Sequence, residues 1–301
     1  MNNSTVTAAK SETTAPEEGV RPSHPAAEFA RAFARNQSAV VGMVLLSAIP
    51  ILSIAGPFLY PVDPYDMVDM PLLPPGSAFV PLGTDYLGRD ILAGIIGGAR
   101  ATLAVGGTAA IISVVIGILA GSFAGFFGGK VDATLIKVTE FFQILPPLLL
   151  AMVLVTIFGP TLTTIALSIG VVSWPQVARL ARAEFMKIGS LDYVNAARTA
   201  GAGNLYLIFR VILPGALPPL VVAAGLSIGA AILFEAGLSF LGLGDPNVMS
   251  WGLIIGQNRD YLLTAWWPVT LPGIAIFITV LAISLVGDGI NDALNPKLRR
   301  R

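Results

Sequence analysis

Phe141–Ala178 reads FFQILPPLLLAMVLVTIFGPTLTTIALSIGVVSWPQVA, 38 residues without a charged side chain. As one helix it would run about 57 Å, against a bilayer hydrocarbon core of about 30 Å. Gly159-Pro160 is a helix breaker placed where two crossings would meet. The stretch therefore predicts two spans joined by a very short turn.

The same search for uncharged runs finds four more. The first has its apolar heart at Val40–Leu59, and the second is Ala101–Gly129. The others are Val211–Phe234 and Leu262–Gly287. The expected fold is an all-α integral membrane protein with six transmembrane helices. Composition agrees: of 301 residues 54% are hydrophobic and 12% charged, about half the charged share of soluble domains, and mean hydropathy is +0.77.

There is no cysteine, and the one histidine is His24. Disulfides, thiolate metal sites and Ser-His-Asp triads have no residues to use, so no metal site or catalytic residue is expected. The 18 basic and 18 acidic residues cancel, and no basic face suggests nucleic acid.

Direction follows from the positive-inside rule. With both termini cytoplasmic, 15 of the 18 Lys and Arg residues lie inside, leaving Arg89, Arg100 and Arg259 outside. Trp174 near the inner surface and Trp266-Trp267 near the outer one suit either aromatic belts or packing. Residues 1–25 read as a disordered cytoplasmic tail without a signal peptide. Residues 26–37 pair Phe29 with Phe33 and Arg31 with Arg35, which suits an amphipathic helix on the inner surface or a plain extension of the first span at 38–60. An extracytoplasmic loop at 61–98 precedes a core domain at 99–290 that holds spans two to six, and 291–301 is a basic cytoplasmic tail.

The polar interruption at 181–214 ends SLDYVNAARTAGAGNLYLIFRVILP over 190–214. Ser190 suits an N-cap for a helix beginning at Leu191, with Asp192 in its first turn. Gly201 and Gly203 suit left-handed positions that end it, and a second helix, Asn204–Ile212, would run to Pro214. Spacing alone leaves an ordinary amphipathic loop open.

Asn195-Ala196-Ala197, then Gly201, then Val211-Ile212-Leu213-Pro214 resembles the EAA loop of bacterial ABC importer permeases, with Asn195 in place of Glu and Val211 in place of Ile. Pro81–Asp90 (PLGTDYLGRD), Glu235–Gly244 (EAGLSFLGLG) and Gly287–Lys297 (GDGINDALNPK) are similar to signatures of the dipeptide and oligopeptide C-type branch. The resemblance implies the transmembrane domain of an ABC type I importer in a bacterial cytoplasmic membrane. It also implies that Leu191, Asp192, Tyr193, Asn195, Ala196, Ala197, Arg198, Gly201, Leu213 and Pro214 couple to a cytosolic ATPase.

Further implied partners are a B-type permease subunit, two ABC ATPases and an extracytoplasmic binding protein, with membrane lipid around them. The chain would bind no cofactor; ATP and Mg2+ would sit on the ATPase subunits. The nearest approach to a P-loop, Ala124–Val131, lacks the first glycine and the final hydroxyl. The cargo expected is a dipeptide or oligopeptide, with a metal chelate or other solute as the alternative and a secondary transporter further behind.

Glu235, an acid in a long apolar stretch, is a candidate for the translocation path or gate, with helix packing as the other reading. In the outer loop Gly83, Thr84, Asp85, Gly88, Arg89 and Asp90 carry the branch signature. Thr84 and Asp85 there suit helix caps, and Gly88 a turn.

Overall fold

The computed structural model describes residues 25–77 and 79–294. The tail at 1–24 and the end of the basic tail at 295–301 lie outside them. Among the described residues there are helices and three isolated antiparallel bridges, but no strand.

α1 (Pro25–Arg35) and α2 (Gln37–Leu59) are separate helices, because Asn36 interrupts them and accepts the Ala39 N–H as the N-cap of α2. The long helix α3 (Ile91–Phe127) begins ten residues before the expected span. The last residues of the expected 61–98 loop, and Arg100, thus lie within the helix.

α4 (Gly129–Ile144) and α5 (Pro147–Phe158) follow, bent by 81° at Leu145-Pro146. Here the expected boundaries are corrected. The helix before the diproline starts at Gly129 rather than near Phe141: it carries Lys130, Asp132, Lys137 and Glu140, of which Asp132 is paired with Arg182, and the diproline ends it. The turn at Gly159-Pro160 is where it was expected: Gly159 has φ 89° and Thr161 caps α6 (Leu162–Gly189).

α7 (Asp192–Thr199) is a short surface helix. α8 (Asn204–Tyr206) then passes through a π-helical stretch, Leu207–Ile212, straight into α9 (Leu213–Leu238), and a second π stretch ends at Leu243. The expected separate helix ending at Pro214 is therefore the start of one long rod, Asn204–Leu243, which kinks near its end at Gly242 (φ 86°). Pro214 lies inside this run, directly after the π stretch, where the regular i→i−4 hydrogen-bond ladder is already interrupted. Pro218, Pro219 and Pro272 lie inside continuous helices. α10 (Trp251–Asn258) and α11 (Trp267–Leu294) complete the chain.

Among the described residues four helices are long and apolar enough to cross a membrane, or five if α4 and α5 count as one broken span. α6 is 28 residues long but carries Gln176, Arg179, Arg182, Glu184 and Lys187. It packs most closely against α3, where Gly117, Gly121 and Gly125 recur every four residues. A Cβ at Gly117 would come within 2.6 Å of Val177, and one at Gly125 within 2.7 Å of Arg182 O. Small residues at this spacing let helix backbones meet in a bilayer, where packing rather than water exclusion holds helices together.

Candidate functional site

The expected coupling residues gather at one end of the bundle. Val194 is fully buried and anchors α7 into a cluster with Phe185, Ile188, Ile208 and Ile212. Around that anchor, Leu191, Asp192, Tyr193, Asn195, Ala196 and Arg198 are exposed, whereas Ala197 is half-buried. The Arg198 guanidinium lies 5.9 Å from the Phe126 ring centroid, so α7 touches the end of α3.

Ser190 does not cap α7. It ends α6, and its hydroxyl donates to Lys187 O at 2.8 Å; Leu191 occupies the N-cap position. Gly201 does take the left-handed conformation, with φ 86°, and its N–H donates to Arg198 O. Gly203 has φ −70°, so one glycine and not two closes the helix. Leu213 and Pro214 lie next along the rod, half-buried and exposed respectively.

Beside this surface the Arg182 guanidinium donates to both Asp132 oxygens, at 2.6 and 2.7 Å, and ties α6 to α4. No motif in the sequence points to this pair; the available signal is an acid in the first turn of a helix facing a basic apolar helix. Asp292 at the end of α11 accepts from the Asn36 side chain at 2.9 Å.

Glu235 is 1% exposed. Its Oε1 accepts from Ser239 and Ser250 hydroxyls at 2.9 and 2.7 Å, and both its oxygens lie against Gly252, whose missing side chain leaves room for them. Ser250 also caps α10 by accepting the Leu253 N–H. The carboxylate thus joins α9, the second π stretch and α10 through Oε1, while its Oε2 is buried without a hydrogen-bond partner among the described residues.

At the opposite end the signature turn is built from side chains. Thr84 donates to Met70 O and accepts from Leu73 N–H. Asp85 Oδ1 accepts from the N–H groups of Leu87 and Arg89, each at 2.8 Å. Burial pushes the Asp85 carboxyl above its ordinary pKa, and those N–H groups oppose the shift. Gly83 and Gly88 have φ near 80°, and a Cβ at Gly88 would collide with Asp69 O.

The helix cap here is Asp90, which accepts the Ala93 N–H at 3.0 Å; Thr84 and Asp85 hold the loop instead. The phenol of Tyr60 donates to Asp90. Arg89 lies over the Tyr65 ring at 5.6 Å. The turn docks on the bundle through the Trp267 indole N–H to Thr84 O and the Tyr86 N–H to buried Asn258. Trp267 and Trp174 are buried, whereas Trp266 is exposed, so the first two pack and only the third remains free to meet an interface.

Residues 117–300 match the family described as binding-protein-dependent transport system inner membrane component, and residues 24–75 match the N-terminal TM domain of oligopeptide transport permease C. The chain is 43% identical over 282 residues to the di/tripeptide transport system permease protein DppC of Pseudomonas aeruginosa, covering 91% of this chain and 93% of that one. It is 39% identical over 286 residues to the dipeptide transport system permease protein DppC of Haemophilus influenzae, covering 93% and 97%. Among solved structures, an inward-facing form of the MetNI methionine ABC transporter superposes with a TM-score of 0.56 at 22% identity. That match covers 67% of this chain and 96% of that one. An amino acid ABC transporter solved with histidines gives 0.52 at 18%, covering 69% and 94%.

Proposed function

We infer the function of this chain from its family: it belongs to the binding-protein-dependent transport system inner membrane components, in the branch that carries the permease C N-terminal domain. It is a transmembrane permease subunit of an ATP-driven importer of dipeptides or related short peptides, in keeping with the relatives named above.

The observation that carries the coupling role is the shape of α7. One buried side chain, Val194, fixes it to the bundle, while its outer face and a left-handed Gly201 remain accessible for a groove on another protein. The chain lacks a P-loop, so hydrolysis of ATP and the binding of its Mg2+ belong to two separate cytosolic ATPases. A second, B-type permease completes the pathway, and an extracytoplasmic binding protein delivers the peptide. The topology we assign has six crossings, with α4 and α5 forming the third and α6 the fourth. Both termini and α7 lie on the cytoplasmic side of a bacterial plasma membrane, and α1 lies along its inner surface. The Pro81–Asp90 turn faces outward, toward the binding protein or the second permease.

Transport proceeds by alternating access: ATP closes the ATPase pair, α7 moves with one of them, and the bundle changes the side to which it opens. The test is dipeptide uptake in a strain lacking only this chain, restored by the wild type and by Gly201→Pro at matched expression. Restoration by the wild type alone supports the reading, and equal restoration by Gly201→Pro removes the coupling role of α7.

A further inference from the structure

A cavity of about 300 Å³ opens at the bend between α4 and α5, against α6 and α9. Its polar lining consists of Gln143, Ser173, Gln176 and Ser227, set among apolar walls such as Phe142 and Phe234, and none of its lining residues is charged. We propose that this cavity is the peptide-contact surface of the pathway in this chain, where Gln143, Ser173, Gln176 and Ser227 hydrogen-bond to main-chain amides of a peptide in transit. The proposal rests on the permease reading and assigns residues to it.

Ser173 and Gln176 are three apart on α6 and so share a face; Gln176 is exposed there and Ser173 half-exposed. A polar stripe facing hydrocarbon would cost several kcal/mol of unsatisfied hydrogen bonding, so in a membrane this face meets water or a polar ligand. The volume lies at the lower end of small-ligand sites, about 300–1,000 Å³, and the cavity is partly open to its surroundings.

The lining chemistry points to the ligand. Peptides of different sequence share only their amides and termini, and neutral donors and acceptors read the shared part. A fixed charge would instead favour one side-chain charge and reject the other. Arg179 sharpens this arrangement without entering the cavity. Its guanidinium donates to Gln143 Oε1 at 2.9 Å, which holds the amide oxygen and leaves the Gln143 NH2 to donate to a peptide carbonyl. Arg179 lines a second cavity of about 320 Å³ nearer the coupling end, and Gln143 borders both. That second cavity also carries Glu140 and Arg182, so it is charged where the first is neutral.

The absence of cysteine gives a clean test. Ser173→Cys, Gln176→Cys and Ser227→Cys, with Ile54→Cys on the exposed apolar face of α2 as control, are made in the complete transporter complex. Each is treated with a charged, membrane-impermeant thiol reagent, with and without saturating neutral dipeptide. Labelling of the three cavity positions but not of Ile54→Cys, slowed by the dipeptide, supports the proposal. Cavity positions that stay unlabelled while the wild-type complex transports overturn it, and mean that the second permease packs over this face.

In parallel, Gln176→Leu should reduce uptake of neutral, acidic and basic dipeptides alike, by about three- to ten-fold for one lost hydrogen bond. Gln176→Glu should make uptake depend on peptide charge. Uptake by both variants at the wild-type rate for all three peptides also overturns it. A wild-type complex that takes up no dipeptide refutes the permease reading itself, a separate result.

Discussion

The Arg198 guanidinium stands over the Phe126 ring at 5.9 Å, although 72 residues separate the two positions. This contact joins the surface helix α7 to the end of α3, the helix most closely packed on α6. A displacement of α7 therefore has a direct mechanical route into the core pair. An exposed cation–π contact is worth about 0.5–1 kcal/mol. Arg198→Ala and Phe126→Leu should each lower peptide-stimulated ATP hydrolysis about two- to five-fold. The double variant should be no worse than either single one, as a double-mutant cycle in the reconstituted complex would read out.

A Cβ at Gly201 would meet no neighbour within 4 Å, so only the backbone conformation there demands glycine. Gly201→Ala should cost about 1–2 kcal/mol in the left-handed region, and Gly201→Asn less. Gly201→Pro, whose ring fixes φ near −65° and removes the N–H that bonds Arg198 O, should uncouple hydrolysis from uptake while assembly persists. Uptake and hydrolysis measured in parallel at matched expression decide it.

The Asp132–Arg182 pair is bidentate and its side chains are 18% and 30% exposed. That places its loss between the values for surface and buried pairs, about 1–3 kcal/mol. Asp132→Ala should lower the Tm of the purified chain, and exchanging the two residues should recover part of the loss. Additive effects of the two single alanine variants would show that the pair contributes nothing as a pair.

How much of this is legible in the sequence depends on the competing partners of each residue. The four long apolar helices, the Gly159 turn and the Gly201 terminus are readable because apolar length and left-handed glycine leave few alternatives. Ser190 reads as a cap for α7 and is not one, because its hydroxyl turns back to Lys187 O. The α3 cap falls to Asp90 and not to Thr84 or Asp85, and its signal is available: an acid directly before the apolar run at Ile91. The start of α4 at Gly129 is hidden by Lys130, Asp132, Lys137 and Glu140, charges that suggest a loop until Arg182 supplies a partner. Gln143, Ser173 and Gln176 escape notice since an uncharged run hides polar residues that share one face.

Asp85 gives a pH signature. Its carboxyl pKa is raised above the ordinary 3.8, so the folded state holds its proton more tightly than the unfolded chain does. The resulting stability is fully present below the ordinary value and is lost as pH rises through the raised one. Asp85→Asn should remove that dependence and keep an oxygen for the Leu87 and Arg89 N–H groups. Asp85→Ala should cost about 1–3 kcal/mol at every pH. Thermal unfolding of the three chains from pH 4 upward distinguishes them.

Glu235→Gln should preserve uptake, because an amide oxygen can still accept from Ser239 and Ser250. Glu235→Ala should destabilise the chain by about 2–5 kcal/mol through a cavity and two stranded hydroxyls. Loss of uptake in Glu235→Gln with unchanged Tm would mean that the charge itself takes part in transport.

The most direct test of the account is purification of the tagged chain from its native membrane in mild detergent, with mass spectrometry and an ATPase assay of what comes with it. A second permease and P-loop ATPases are expected in the complex, with ATP hydrolysis that responds to a peptide-loaded binding protein. A stable chain that comes out alone, without ATPase activity even after crosslinking, would contradict it.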